Sequence, residues 1–195
     1  MTVLCERTEM AEREEPSELD KLFEALEQMQ IPEGFKAEIV EGIIIVSPQR
    51  DTHWDITAAV YDQLRTQYPR KQLKSDMRID FPGYLNGFCP DLAAVGSGAE
   101  KDNRGHWRHE DVEFVLEVIS RGTAGNDYGK KKKVYAIAGI AVYLIADPYT
   151  GQCHLHTRPS DDRFWRQETF AFGEPIELKP HGIDLTLETE DFPRD

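Results

Sequence analysis

The run VEFVLEVI at residues 112–119 constrains the fold more than any other part of the chain, because it is almost continuously apolar and rich in β-branched side chains. A run of this length with apolar residues at both parities is the pattern of a strand buried on both faces. Such a strand belongs in the middle of a sheet with a layer packed on either side. AVYLIA (141–146) is a second run of the same kind, and between the two, residues 127–138 carry a helical pattern that stops near Gly139. Strand, helix and strand in that order predict a right-handed crossover between parallel neighbours. The expected fold class is therefore α/β (α+β), a mixed β-sheet core flanked by helices.

The rest of the chain supplies the flanking pieces. Ser17 followed by ELDKLFEALEQM reads as a capped amphipathic helix with Leu19, Leu22, Phe23 and Leu26 on one face, ended by Pro32 and Gly34. KAEIV and IIIVS flank Glu41-Gly42, the pattern of a hairpin with a short turn. Trp54, Ile56, Ala59, Val60, Tyr61 and Leu64 recur at approximately helical spacing and predict a second helix over 53–67. QLKSDMRIDF (72–81) alternates as one strand, FCPDLAAV (88–95) is an apolar run interrupted by one acid, and 96–111 reads as a surface loop. From Gln152 onward, short alternating runs predict antiparallel strands that finish the sheet.

At 195 residues with 39% hydrophobic content the chain can bury one core, so a single domain over 17–195 is expected after a disordered acidic N-terminus, 1–16. No stretch approaches the roughly 20 apolar residues of a membrane span, and MTVLCERTEM is charged where a signal peptide would be apolar. A cytoplasmic protein is the expectation. Cys5, Cys89 and Cys153 are odd in number and unrelated in spacing, which reads as reduced thiols. The net charge of −13 opposes a nucleic-acid partner at first sight. Residues 1–30 carry −6 of it and residues 184–195 carry −4, leaving −3 for the body, so the acidic ends read as solvated flanks.

Two carboxylates sit where the chain is otherwise building core. Asp91 follows Pro90 at the head of a strand, and Glu117 interrupts LEVIS near the end of another. An ionised acid in such a place is costly unless it is exposed at a strand end, salt-bridged, or bound to a cation. Two of them, with a lysine-rich helix start soon after, make a hard-oxygen site suited to Mg²⁺ or Mn²⁺ beside a positive charge. Among Lys130 to Lys133, periodicity separates Lys131. It shares one helix face with Asp127, four residues before it, and with Tyr135 and Gly139, four and eight after it.

In order and spacing these residues resemble the Uma-type restriction endonuclease family, a bacterial branch of the PD-(D/E)xK nuclease superfamily. The resemblance runs from about Lys36 to Pro148. AEIVEGIIIVSP carries it, with Glu38 four residues before Gly42, as do His53 shortly after Ser47-Pro48, CPDLAAV, LEVIS followed by Thr123, the Asp127, Lys131, Tyr135, Gly139 series, and YLIADP. It implies a restriction-endonuclease-like fold and a Mg²⁺- or Mn²⁺-dependent endonuclease that hydrolyses phosphodiester bonds of DNA. Asp91 and Glu117 would then be metal ligands, Glu38 a further acid at the metal, Lys131 the catalytic amine and His53 an accessory group. The literal D/E-x-K spelling fails, since Ile119 stands two residues after Glu117, and the resemblance implies an amine supplied from the following helix. Arg121-Gly122 and Leu144 depart from the family's usual Ser-Pro-Ser-Thr turn and Trp without touching a ligand position.

Two other readings compete. One is a catalytically silent nucleic-acid-binding or interaction module of the same fold; the other is a hydrolase of smaller phosphorylated substrates, which the acidity suits. A homodimer is expected only by analogy with enzymes that cut both strands. His154 and His156 share a strand face but lack a third ligand, and His106 and His109 with Trp107 read as an exposed loop offering a stacking surface to nucleic acid.

Overall fold

The computed structural model describes residues 15–195, so all but the last two residues of the expected acidic segment 1–16 lie outside the described residues. Helix α1 (Glu18–Glu27) begins where the sequence places it. The Ser17 hydroxyl accepts from the Asp20 amide at 3.1 Å, and the Asp20 carboxylate accepts from the Ser17 amide at 2.9 Å, which satisfies two orphan donors reciprocally. Strands β1 (Phe35–Val40) and β2 (Ile43–Pro48) form the expected hairpin. Glu41 and Gly42 take φ of 51° and 76°, as a twist-matched two-residue turn requires. Helix α2 (Asp51–Leu64) follows, then β3 (Leu73–Lys74), β4 (Ile79–Phe81), β5 (Asn86–Phe88), β6 (Leu92–Val95), β7 (Trp107–Arg108) and β8 (Val112–Val118). A π-helical segment, Asn126–Lys131, runs into α3 (Lys132–Ile137), and β9 (Val142–Asp147), β10 (Gln152–Ser160), β11 (Arg163–Ala171), β12 (Ile176–Glu177) and β13 (Thr186–Leu187) complete the chain.

Strand β8 is central, as its composition demands. In the six-stranded sheet, ordered β11-β10-β9-β8-β6-β3, it pairs in parallel with β9 across the helical crossover and antiparallel with β6. Phe114, Leu116 and Val118 pack with Ile56, Val60 and Leu64 of α2 on one face. Val115 and Ile119 turn the other way, toward Val134 and Tyr135 of α3 and toward Ile79, Phe81 and Phe88 of a second, five-stranded sheet ordered β2-β1-β5-β4-β7. Glu117 has the parity of Val115, so it enters the space between α3 and the second sheet.

Several expectations are corrected. Residues 72–81 are not one strand: β3 joins the six-stranded sheet and β4 the five-stranded one. The chain turns between them at Asp76, which has φ 51° and donates its amide to the Pro90 carbonyl at 3.0 Å. The run 88–95 breaks at Cys89-Pro90 for a related reason, since proline has no N–H to continue a ladder, and β5 and β6 also lie in different sheets. Two crossings between sheets therefore meet at one level, with Asp91 beside them. The helix expected over 127–138 has a π-helical first half, the 96–111 loop contains β7, and β12 with β13 forms a separate ribbon instead of finishing the sheet. Among the described residues no helix is long and apolar enough to cross a membrane.

Helix α1 is seated on the second sheet through a glycine. A Cβ added at Gly87 would lie 2.3 Å from Phe23 Cε2, while Arg78 stacks 4.1 Å above the Phe23 ring and pairs with Asp20 at 2.7 Å. Gly87→Ala is therefore expected to displace α1 and cost about 1–3 kcal/mol, read as a lower midpoint in chemical denaturation. An unchanged midpoint would show that Phe23 does not depend on this contact.

Candidate active site

The β6–β8 register, with Leu92 opposite Leu116, sets Asp91 opposite Glu117 at the strand ends. Both side chains are buried. The Val118 amide donates to Asp91 Oδ2 at 2.7 Å, and the Tyr135 hydroxyl donates to Glu117 Oε1 at 2.6 Å, so each carboxylate is fixed by the scaffold. Lys131, only 1% exposed, reaches in from the π-helical segment. Its Nζ lies 2.6 Å from Glu117 Oε1, 3.0 Å from Glu38 Oε1 and 3.1 Å from Asp127 Oδ1. Glu38 accepts from the Cys89 amide with its other oxygen at 3.3 Å. His53, in the first turn of α2, is also buried; its Nε2 lies 3.4 Å from Ser120 Oγ, and its Nδ1 has no hydrogen-bond partner among the described residues. Asp91, Glu117, Lys131, Glu38 and His53 all line one narrow depression.

Lys36 is the residue that the sequence reading passed over. It stands two residues before Glu38, on the same face of β1, and its Nζ contacts Asp91 Oδ1 and lies 3.6 Å from Glu117 Oε2. That spacing was the available signal. Asp127, read from the sequence only as sharing a helix face with Lys131, supplies one of the three carboxylates around its ammonium.

Four carboxylates, of Glu38, Asp91, Glu117 and Asp127, thus face two ammonium groups, of Lys36 and Lys131. The acids outnumber the ammonium groups, and a buried excess of carboxyls is relieved either by protonation, toward which Glu117 is pushed, or by a bound cation. Asp91 Oδ1 and Glu117 Oε2 both turn toward one cationic nitrogen, and both are hard oxygen donors. The residues fit a hard divalent ion. Burial pushes Glu117 up to about 8 against the pull of Lys131 and Lys36. Burial alone would lower Lys131, but Asp127, Glu117 and Glu38 together raise it well above its ordinary value, so it stays an ammonium. Burial works against ionised Asp91 as well and is outweighed by Lys36, which holds that carboxyl below its usual range.

The other clusters are already filled. Oxygens of Asp20 and Asp80 and a nitrogen of His106 come within 4.8 Å of one another, but Arg78 bridges the two acids at 2.7 and 2.6 Å. His156 is buried in an aromatic stack, 5.6 Å from Tyr143 and 5.8 Å from Phe164, and His154 bonds Thr169 instead of joining it. Trp107 is half-buried under the Lys74 ammonium, 4.2 Å from the ring centroid.

A family profile described as "Uma2: Putative restriction endonuclease" matches residues 23–189. The chain belongs to the Uma2 family. Every member of the carboxylate and lysine cluster falls inside the matched region of this Uma2 chain. No curated protein matches it. Among solved structures, "a putative nuclease belonging to DUF820" from Anabaena variabilis ATCC 29413 is similar with a TM-score of 0.65 at 17% identity, over 88% of this chain and 96% of that one. At that identity the similarity carries the fold alone.

His156 yields a pH prediction. Burial, with Lys132 and His154 nearby, pushes it from 6.5 to about 4, so the unfolded chain takes up the proton first. Its contribution is fully present above about pH 6.5 and is lost as pH falls toward 4. His156→Phe keeps the aromatic packing and is expected to shrink the loss of stability over that window by about 2 kcal/mol, measured by denaturation at a series of pH values. An unchanged acid slope would contradict this.

Proposed function

We propose that this Uma2 chain is a metal-dependent endonuclease that hydrolyses phosphodiester bonds of DNA, with Asp91 and Glu117 holding Mg²⁺ or Mn²⁺ and Lys131 as the catalytic amine. The observation that carries the reading is the convergence of Asp91 and Glu117 on one buried cationic position beside a lysine held by three carboxylates. A divalent ion there supplies Lewis acidity and a bound water of lowered pKa. The remaining work falls to the chain's own residues. Lys131 is a permanent, immobile positive charge for the negative charge that develops on the phosphoryl oxygens, and it costs no reorganisation at the moment of reaction. Tyr135 and the Val118 amide fix the two ligands before substrate arrives, and Glu38, bonded to Lys131 and to the Cys89 amide, orients the lysine. His53 lines the depression with its Nε2 3.4 Å from Ser120 Oγ and serves as an accessory group of the site.

Glu117→Gln and Lys131→Met are expected to lower Mg²⁺-dependent nicking of supercoiled plasmid by about 10²-fold or more. A variant with a normal unfolding transition that nicks at the wild-type rate would remove that residue from the mechanism.

The Lys36 ammonium occupies the position proposed for the ion, so the two compete. Lys36→Met is expected to tighten Mn²⁺ binding, measured calorimetrically on nucleic-acid-free protein, by about tenfold or more, the equivalent of one close charge pair. Equal or weaker binding would contradict the competition. The same contact favours a second reading, a nucleic-acid-binding module silenced by its own lysine. Wild type that binds DNA but takes no Mn²⁺ would support it.

A further inference from the structure

The carboxylate cluster does not end at a closed wall. His53 and Asp91 form the inner end of a depression that passes Trp54, Thr57 and Ser75. Through the same three residues it widens into a groove of about 480 Å³, floored by Leu73 and Leu92 and bounded by Tyr61 and Arg70. Trp54 stands at the junction, 67% exposed, the residue after His53 on α2. It is not part of the core that α2 builds through Ile56, Val60 and Leu64. Trp54 and Tyr61 lie seven residues apart, two turns along one face, with the small side chains of Thr57 and Ala58 between them. An exposed indole above an apolar floor, in space of nucleotide size, offers a face for stacking.

We infer that this groove is a nucleobase subsite, so that the preferred substrate presents an unpaired base next to the phosphate entering the Asp91 end. The inference rests on the nuclease reading and adds the class of DNA that it acts on. Base exposure and the width of the opening decide between paired and unpaired strands. Asp62 and Asp76 line the two lobes beside Arg70 and Arg50, so the walls are mixed in sign and the groove's affinity has to come from stacking more than from phosphate contacts. A duplex also hides its base faces in its own stack, whereas a single strand, a gap or a flipped nucleotide exposes one. Asp91 itself is only 3% exposed at the bottom of a narrow opening, which a flexible strand enters more readily than a rigid one.

The test is binding in EDTA of fluorescein-labelled oligomers, read by fluorescence anisotropy, for a short oligothymidylate, an abasic oligomer of equal length and a blunt duplex, with wild type, Trp54→Phe and Trp54→Ala. The expected result is binding of oligothymidylate that Trp54→Ala weakens about tenfold or more, a smaller loss in Trp54→Phe, and weaker binding of the abasic oligomer and the duplex. Equal affinity in Trp54→Ala, or an abasic oligomer or duplex that binds as tightly as oligothymidylate, would overturn the inference. Because the readout needs no metal, it separates from the nuclease reading. Trp54-dependent binding without cleavage of any DNA would sink the nuclease and leave the subsite; metal-dependent cleavage without Trp54-dependent binding would do the reverse.

Discussion

Lys131 and Glu117, 2.6 Å apart and withdrawn from water, tie together parts of the chain that lie far apart in sequence. Glu117 belongs to the central strand of the six-stranded sheet, Glu38 to β1 of the five-stranded sheet, and Asp127 to the π-helical turn that carries the lysine itself. Each of these charges is tolerable in the interior only because the others are there, and removing one partner of such a set typically costs about 3–5 kcal/mol. The interface between the two sheets and the candidate site are consequently one structure. The π-helical turn adds a residue to the helix start, a form that recurs where a side chain must be aimed against the helix's own preference.

The cluster is also unbalanced. Its acids outnumber its lysines, and Lys36 stands between the two carboxylates best placed to hold an ion. A chain selected for stability alone would fill this volume with apolar side chains, which is often neutral or favourable relative to a buried ion pair. Four acids at the meeting of two sheets make this the most electrostatically perturbed place in the fold, the kind of place where shifted titratable groups and functional sites coincide.

Much of this was legible from the residues. The doubly buried strand, the crossover and the hairpin follow from apolar parity and from Glu41-Gly42, and Asp91, Glu117 and Lys131 stand out because an acid in an apolar run and one lysine on a structured helix face contradict their surroundings. The crossings at Asp76 and Cys89-Pro90 were not legible, because alternation continues through them and only tertiary pairing decides that β3 and β4 part company. Lys36 escaped for a different reason. It sits at the start of a hairpin strand, where a lysine usually faces solvent, and only the arrival of β6 and β8 from far along the chain turns it into a partner of two buried acids. The groove beside Trp54 was hidden too, since a tryptophan in a helical stripe reads as core until α2 is seen to leave it exposed.

Anomalous diffraction from crystals soaked in Mn²⁺ tests the seat between Asp91 and Glu117 most directly. The predicted result is a peak at bonding distance from both carboxylates, about 2.0–2.3 Å, with the Lys36 ammonium withdrawn. A peak confined to Asp20, Asp80 and His106, or no peak with Lys36 still seated between the two acids, would contradict it.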